Sequence, residues 1–474
     1  MNGALSCASY FSDVNADSTN AFIRKPSSCQ LGVFKSDSSQ RWVEASMGMS
    51  VGARDCLSLM KPSVYHRVLA IAAVLIFYTN IPIYLNVEHG IGLPWFWVIG
   101  FTALAIPVVF MQMTKSGFFD SPVMLWCFGY VWLAVLGFFW SSQPDVAWQE
   151  VRWRVLTFLN LVVFLAVLTH PDINKLTRQV LAAGVLLGVT VNIYELFVPM
   201  SFSLIVGRSA GLYMNATTSA LALVGGMIIA VSILPSWFRG TFVLLTGVGV
   251  FLTFSRGGIL AWLVALVGLI ITKKVNIKHM LLTSVLGLLL AGMFVLPRLG
   301  DILSMLDMNG VINKNVVERL EWLKDPFGVS DESGVARQAV AAQAWDTFAE
   351  NPVFGNGTGS FRNAFFIPPH NQFLSFMVDH GIVGAAIIPM LLLAISWRKR
   401  GQAGTVAIIF ALVQTMASFM SHTVINEAHT LLLCALLATL ADPGAEKKAA
   451  HQWLYGGDAR RRFGEVENQQ GLIL

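Results

Sequence analysis

Four basic residues of this 474-residue chain combine a reactive side chain with a suggestive position. His370 follows Pro368 and Pro369 at the start of an apolar run, so we expect it at the N-terminus of a helix. The helix dipole disfavours imidazolium there and favours a neutral ring with a free nitrogen, as a general base near pH 7 requires. The same position also suits a histidine that only caps a helix at a membrane interface.

Arg208, Arg256 and Arg337 depart from the positive-inside trend of the other basic residues. Arg208 and Arg256 each border an apolar run, which predicts that both lie near headgroup depth in a membrane. Guanidinium groups facing a bundle interior at that depth suit a phosphate or pyrophosphate, because they donate forked, charge-assisted hydrogen bonds. Snorkelling toward lipid headgroups also explains each arginine taken alone.

The elements that must position these side chains are apolar. The chain is 55% hydrophobic and 12% charged, with a mean hydropathy of +0.63, which predicts a membrane as its solvent. Runs long enough to cross a bilayer number about twelve, so we predict an all-α, polytopic membrane protein. The runs are expected at about 67–86, 92–112, 122–140, 153–169, 178–198, 215–235, 238–254, 257–272, 279–297, 372–396, 404–421 and 427–441.

Lysines and arginines concentrate in alternate connections between these runs. The positive-inside rule places those connections in the cytoplasm and the intervening ones in the periplasm of a bacterial inner membrane. The basic connections hold Lys115, Lys175, Arg178, Arg239, Lys273, Lys274, Lys278, Arg398, Lys399 and Arg400. Because the net charge of +5 is spread over such short clusters, nucleic acid is not expected as a partner.

The alternation divides the chain into five parts with both termini in the cytoplasm. Residues 1–64 are predicted to be a disordered tail, and 65–297 to form transmembrane helices 1–9. Residues 298–369 are predicted to form a helical periplasmic cap, with helices at about 315–323 and 334–350. Residues 370–441 then form transmembrane helices 10–12, and 442–474 form a cytoplasmic tail.

Three weaker patterns leave the chemistry open. Gly355-x-Gly357-x-Gly359 follows a helix instead of a strand, which favours a tight turn over a nucleotide-phosphate loop. Asp379 lies within an apolar run beside His380 and is either functional or half of a hydrogen-bonded structural pair. Carboxylates occur without metal-binding spacing, so neither a metal ion nor another cofactor is expected.

Several of these motifs follow one another in a particular order between about residues 200 and 390. They are an outer arginine, the Ser255-Arg256-Gly257 turn, Arg337 in a long outer segment, Pro352-x-x-Gly355-x-Gly357-x-Gly359-x-Phe361, and His370-Asn371-x-Phe373-Leu374. In this order the chain resembles the O-antigen ligase and polymerase superfamily, and the His-Asn-x-Phe-Leu element is the most specific part of the resemblance.

The resemblance implies a glycosyltransferase of lipopolysaccharide biosynthesis. A ligase of this superfamily moves O-antigen polysaccharide from undecaprenyl pyrophosphate to a sugar hydroxyl of the lipid A core, at the periplasmic face. The implied partners are therefore the lipid-linked glycan donor, the lipid A-core acceptor and the bilayer. An O-antigen polymerase shares the site and differs in its acceptor.

The resemblance also implies roles for individual residues. His370 matches the essential histidine of the family, and Arg208, Arg256 and Arg337 match its periplasmic arginines. The chain has Ala341 where the family often has an aromatic residue, which leaves the register around Arg337 open. The lesser candidates are Arg319, Asn371 and Asp379.

A transporter or lipid flippase is the alternative from another functional class. Transporters usually carry polar or broken-helix features near the midplane of the membrane and often contain internal repeats. Here the candidate residues gather at one predicted face, which favours the enzyme.

Overall fold

The computed structural model describes residues 62–114, 118–313, 316–317, 332–363, 365 and 369–440. These residues form helices and connecting turns. Apart from 62–64, the predicted N-terminal tail lies outside the described residues, as does the tail at 442–474. Lys115, Arg319 and most of the helix predicted at 315–323 also lie outside them.

The helices follow one another along the chain with short connections. They are α1 (Val64–Ala73, continued by a wider turn over Val74–Tyr78), α2 (Ile81–His89), α3 (Pro94–Met113), α4 (Pro122–Phe138), α5 (Pro144–Leu168), α6 (Pro171–Phe197), α7 (Ala216–Ala230), α8 (Ser236–Leu252), α9 (Arg256–Ile271), α10 (Ile277–Val295), α11 (Leu299–Met308), α12 (Glu332–Glu350), α13 (Ser360–Asn363), α14 (Gln372–Ala385), α15 (Ile387–Ser396), α16 (Gly401–Met420) and α17 (Ala428–Ala438).

The starts of four long helices follow from proline. Pro94, Pro122, Pro144 and Pro171 each open one of the helices α3 to α6. Proline is favoured at the first helical position, where its fixed φ suits the helix and its missing N–H costs no hydrogen bond. These prolines therefore fix where the apolar segments begin.

Each apolar run of the sequence coincides with a helix or a bent helix pair. Among the residues that the structure describes, six helical segments are long and apolar enough to cross a membrane, and two bent pairs bring that number to eight if each pair is one span. The other apolar helices, α4, α8, α9 and α17, are shorter. The structure thus supports a multi-pass membrane protein, while twelve complete spans remain a prediction.

The two bent pairs have local causes. Asn80 adopts a left-handed conformation between α1 and α2, whose axes differ by 51°. Gly381 interrupts α14 with φ of 63° and ψ of −149°, and a bend of 58° separates α14 from α15. A Cβ at Gly381 would lie 2.3 Å from the carbonyl oxygen of Val353, so glycine allows the 352–359 turn to pack against this kink.

The basic connections gather at one end of the bundle. Arg178 and Arg239 both donate hydrogen bonds to Ser232. Asn174 and Lys399 both donate to carbonyl oxygens at the C-terminal end of α17. Arg208 follows the other end of α6, and His370 precedes the α14–α15 pair that leads to Lys399. The candidate site and the basic connections therefore lie at different ends of the bundle.

Candidate functional site

His370 lies directly before α14, as the sequence predicts. The next residue, Asn371, is the N-cap of that helix, and its side-chain oxygen accepts a hydrogen bond from the backbone N–H of Leu374 (3.1 Å). The imidazole of His370 is half-buried. Asn371, a lesser candidate of the sequence, therefore has a clear structural role, because it fixes the start of the helix that presents His370.

A second histidine faces His370. The ring of His422, from the connection between α16 and α17, lies with its centroid 5.7 Å from that of His370 at an angle of 66°. Burial and the neighbouring charges of His370 and Arg362 lower the pKa of His422 to about 4. The buried Nδ1 atom of His422 has no hydrogen-bond partner among the described residues. The motif search missed this residue, although the alternation of connections assigns it to the end of the bundle where His370 lies.

Arg337 supplies a positive charge near this pair. It is exposed on α12, and α12 packs on α14 through an apolar cluster that includes Ala344, Phe348 and Leu374. Burial, and then the charge of Arg337, lower the pKa of His370 below its ordinary value. The imidazole is therefore neutral at pH 7, the state that a general base needs.

Arg208 and Arg256 border the same short connection between α8 and α9. The Nε atom of Arg208 donates to the carbonyl oxygen of Thr253 (3.1 Å). Arg256 is the first residue of α9, directly after the N-cap Ser255. Both side chains are partly exposed, and the N-terminus of α9 adds positive potential beside them.

The α8–α9 connection adjoins the end of α16 that leads to His422. A Cβ at Gly257 would lie 2.2 Å from the sulfur of Met420, the last residue of α16. From the other side, Phe373 of α14 stacks on Phe419 with ring centroids 4.7 Å apart. The α8–α9 connection beside Arg208 and Arg256 therefore borders the C-terminal end of α16, as do His370 and His422.

The loop that carries Arg208 is held by one buried carboxylate. Glu195 of α6 is 3% exposed. It accepts hydrogen bonds from four backbone N–H groups, two before Arg208 and two after it: Phe202, Ser203, Ala210 and Gly211. The sequence offered no signal for this role, because Glu195 stands alone near the end of an apolar run.

Asp379 belongs to a second, fully buried polar cluster. Its carboxylate accepts hydrogen bonds from the backbone N–H groups of Gly359 and Phe361 (both 3.1 Å) and from Nη2 of Arg154 (3.2 Å). Nη1 of Arg154 donates to Nε2 of His380 (2.7 Å). The structure thus favours the structural interpretation of Asp379, which anchors the turn of Gly355, Gly357 and Gly359.

This turn positions a further arginine that the sequence did not single out. Arg362 lies in α13, directly after the turn, and its Nε donates to Glu150 Oε2 at 2.6 Å. The Arg362 side chain is 32% exposed and Glu150 is 1% exposed. Arg362 is therefore fixed on one edge and accessible on the rest of its guanidinium.

A cavity of about 370 Å³ opens beside these groups. It lies between the α1–α2 bend, the start of α3, one face of α5 and the connection before α17. Arg362 and Thr423, which follows His422, both line it. The cavity therefore adjoins the connection that contacts His370.

Comparison with known families agrees with the sequence motifs. Residues 240–388 match the model of a family described as O-antigen ligase (Wzy_C). Arg256, Arg337 and His370 lie within the matched segment, whereas Arg208 and His422 lie outside it. A search of curated proteins found no match.

Proposed function

We propose that this chain, a member of the O-antigen ligase and polymerase superfamily, is an O-antigen ligase. It transfers O-antigen polysaccharide from undecaprenyl pyrophosphate to a sugar hydroxyl of the lipid A core. The observation that carries the proposal is a half-buried histidine whose pKa is lowered by burial and by the charge of Arg337, at the end of the bundle opposite the basic connections. The positive-inside rule makes that end the periplasmic face of the inner membrane.

The arginines meet the main requirement of such a reaction. A sugar on a lipid pyrophosphate is already activated, so the periplasm need supply no nucleotide. The departing pyrophosphate carries growing negative charge, which Arg208, Arg256 and Arg337 stabilise through forked hydrogen bonds. Arg337 is exposed, and Arg208 and Arg256 are partly exposed, which supports contact with a lipid headgroup.

His370 meets the second requirement, a base for the incoming hydroxyl. As the acceptor oxygen forms its bond to the anomeric carbon, the bond from that carbon to the pyrophosphate oxygen breaks. The hydroxyl proton passes to the neutral imidazole. A single displacement of this kind inverts the anomeric centre, and the mechanism needs no divalent metal.

The test is a transfer assay with the purified protein. It is offered lipid-linked glycan and core-lipid acceptor, each alone and both together. Product that needs the core lipid supports the ligase. Extension of lipid-linked glycan without core lipid would instead identify an O-antigen polymerase, and absence of transfer in every arm would overturn the enzyme.

A further inference from the structure

The cavity beside the histidine connection follows one face of α5. Gln149, Trp153, Thr157 and Asn160 line it at helical spacing. At 1.5 Å per residue this face extends about 16 Å from the level of Gln149 to that of Asn160. The volume of about 370 Å³ falls at the small end of the range for ligand pockets.

Partly buried polar groups from the connection before α17 line one side of the cavity. Asn426 Oδ1 accepts hydrogen bonds from the Tyr130 hydroxyl (3.0 Å) and the Thr157 hydroxyl (3.4 Å). Glu427 Oε1 accepts from Thr423 Oγ1 (3.0 Å). Asn426 and Glu427 both line the cavity, where the amide of Asn426 and the second carboxylate oxygen of Glu427 provide further hydrogen-bonding capacity.

The lining of the cavity also includes a charge and two aromatic rings. The charge is that of Arg362, whose Nε donates a hydrogen bond to Glu150. Trp95 and Trp153 lie on the walls, and the Trp153 side chain is 39% exposed. The lining thus combines aromatic faces with amide, carboxylate and guanidinium groups.

This combination decides between two kinds of occupant. A hydrocarbon tail would cover the amide nitrogen of Asn426 and the second carboxylate oxygen of Glu427 without bonding to them, and polar groups buried without a hydrogen bond are costly. A sugar ring presents C–H bonds on its faces and hydroxyl groups around its edge. A sugar ring therefore suits a lining that combines tryptophan rings with hydrogen-bonding groups.

We infer that this cavity binds one pyranose ring of a glycan substrate, with Trp153 against a ring face and Asn426 and Glu427 bonded to its hydroxyl groups. The inference rests on the proposed function and adds a specific sugar site to it. The sugar belongs either to the acceptor core or to the transferred glycan. Both sources present the same chemistry to the cavity.

Saccharide binding to the full chain in nanodiscs tests the site without any transfer reaction. Saturation-transfer NMR is run with core oligosaccharide freed from lipid A and, separately, with free O-antigen fragments. We expect one of the two probes to bind, and we expect Trp153→Leu to weaken the affinity for that probe by about tenfold or more. Gln149→Ala, at an exposed position on the same face, weakens binding without risk to the fold.

Trp148→Leu is the matched control, because Trp148 is an exposed tryptophan of the same helix outside the cavity lining. Binding by the core oligosaccharide assigns the cavity to the acceptor, and binding by the O-antigen fragment assigns it to the donor. No binding of either probe, or equal loss with Trp148→Leu, overturns the inference. Transfer with an unchanged KM in Trp153→Leu and Gln149→Ala refutes the site but not the ligase. Specific saccharide binding without transfer refutes the ligase but not the site.

Discussion

Replacement of Glu195 by glutamine tests whether the Arg208 loop owes its position to one carboxylate. Each oxygen of that carboxylate accepts two backbone N–H groups of the loop. The glutamine side chain of the variant would keep one such oxygen and place an amide N–H₂ where the other stood. Whichever way the amide turns, two backbone donors lose their acceptor and face another donor.

The size of the effect follows from those two bonds. A hydrogen bond to a charged group contributes roughly 1.5–3 kcal/mol, so the loop loses on the order of 3–6 kcal/mol. Other contacts remain, including the bond from Ser209 N–H to the Leu252 carbonyl oxygen (3.1 Å). The loop therefore loosens around Arg208 while the helices stay folded. We expect transfer to fall about a hundredfold, as it does when a single donor to transition-state charge is removed.

A double-mutant cycle with Arg208→Ala measures the coupling. Transfer rates are compared for both single variants and the double variant, with Glu88→Gln as an exposed carboxylate control. Because Glu195→Gln already displaces Arg208, we expect Arg208→Ala to cost little more in that background. An equal cost of Arg208→Ala in both backgrounds would refute the positioning role of Glu195.

Four further outcomes are expected. His370→Gln retains binding of lipid-linked substrate and loses transfer, since the amide cannot take the proton; retention of most activity would rule out the base. Transfer by the unmodified protein declines at acidic pH as His370 becomes charged. Because Arg337 lowers the pKa of His370, the Arg337→Ala variant shows that decline at higher pH in a profile of rate against pH. Arg256→Ala reduces the transfer rate about a hundredfold and Arg256→Lys rescues it poorly for lack of a fork, whereas near-normal rates would leave only the snorkelling interpretation. Ser333→Cys reacts with an impermeant maleimide in intact spheroplasts, and labelling only after lysis would contradict the orientation.

The sequence predicted those features that depend on neighbouring residues. Apolar length located the long helices, although it placed the starts of α5 and α6 at about 153 and 178 instead of at Pro144 and Pro171. Pro369 before an apolar run located His370 at a helix N-terminus. The glycines at 355, 357 and 359 were correctly interpreted as a turn, and all three have positive φ, at 71°, 94° and 83°. Such features are local, so a single sequence contains them.

The contacts that assemble the site are distant in sequence and were missed for that reason. Arg362 meets Glu150 more than two hundred residues away, and Arg154 meets Asp379 at a similar separation. From the sequence alone, Arg154 is only a charged residue near the start of an apolar run, with no sign of its partners. The bend at Asn80 was also missed, although Pro82, two residues later, is a local signal for an interrupted helix.

Exposure and charge compensation together separate the structural arginine from the candidate binding arginines. Arg154 is fully buried between Glu150 and Asp379, both also buried, so no substrate phosphate can replace its partners without stranding two carboxylates. The contacts of Arg154 instead hold the glycine turn in place through Asp379. That turn positions Arg362 and packs against the kink of α14. Arg337 is exposed and Arg256 is partly exposed, with Nε and Nη2 of Arg256 buried. A buried, charge-compensated cluster that holds the glycine turn and Arg362 in place supports the proposed chemistry, because groups fixed in advance need not be reordered when charge develops in the transition state.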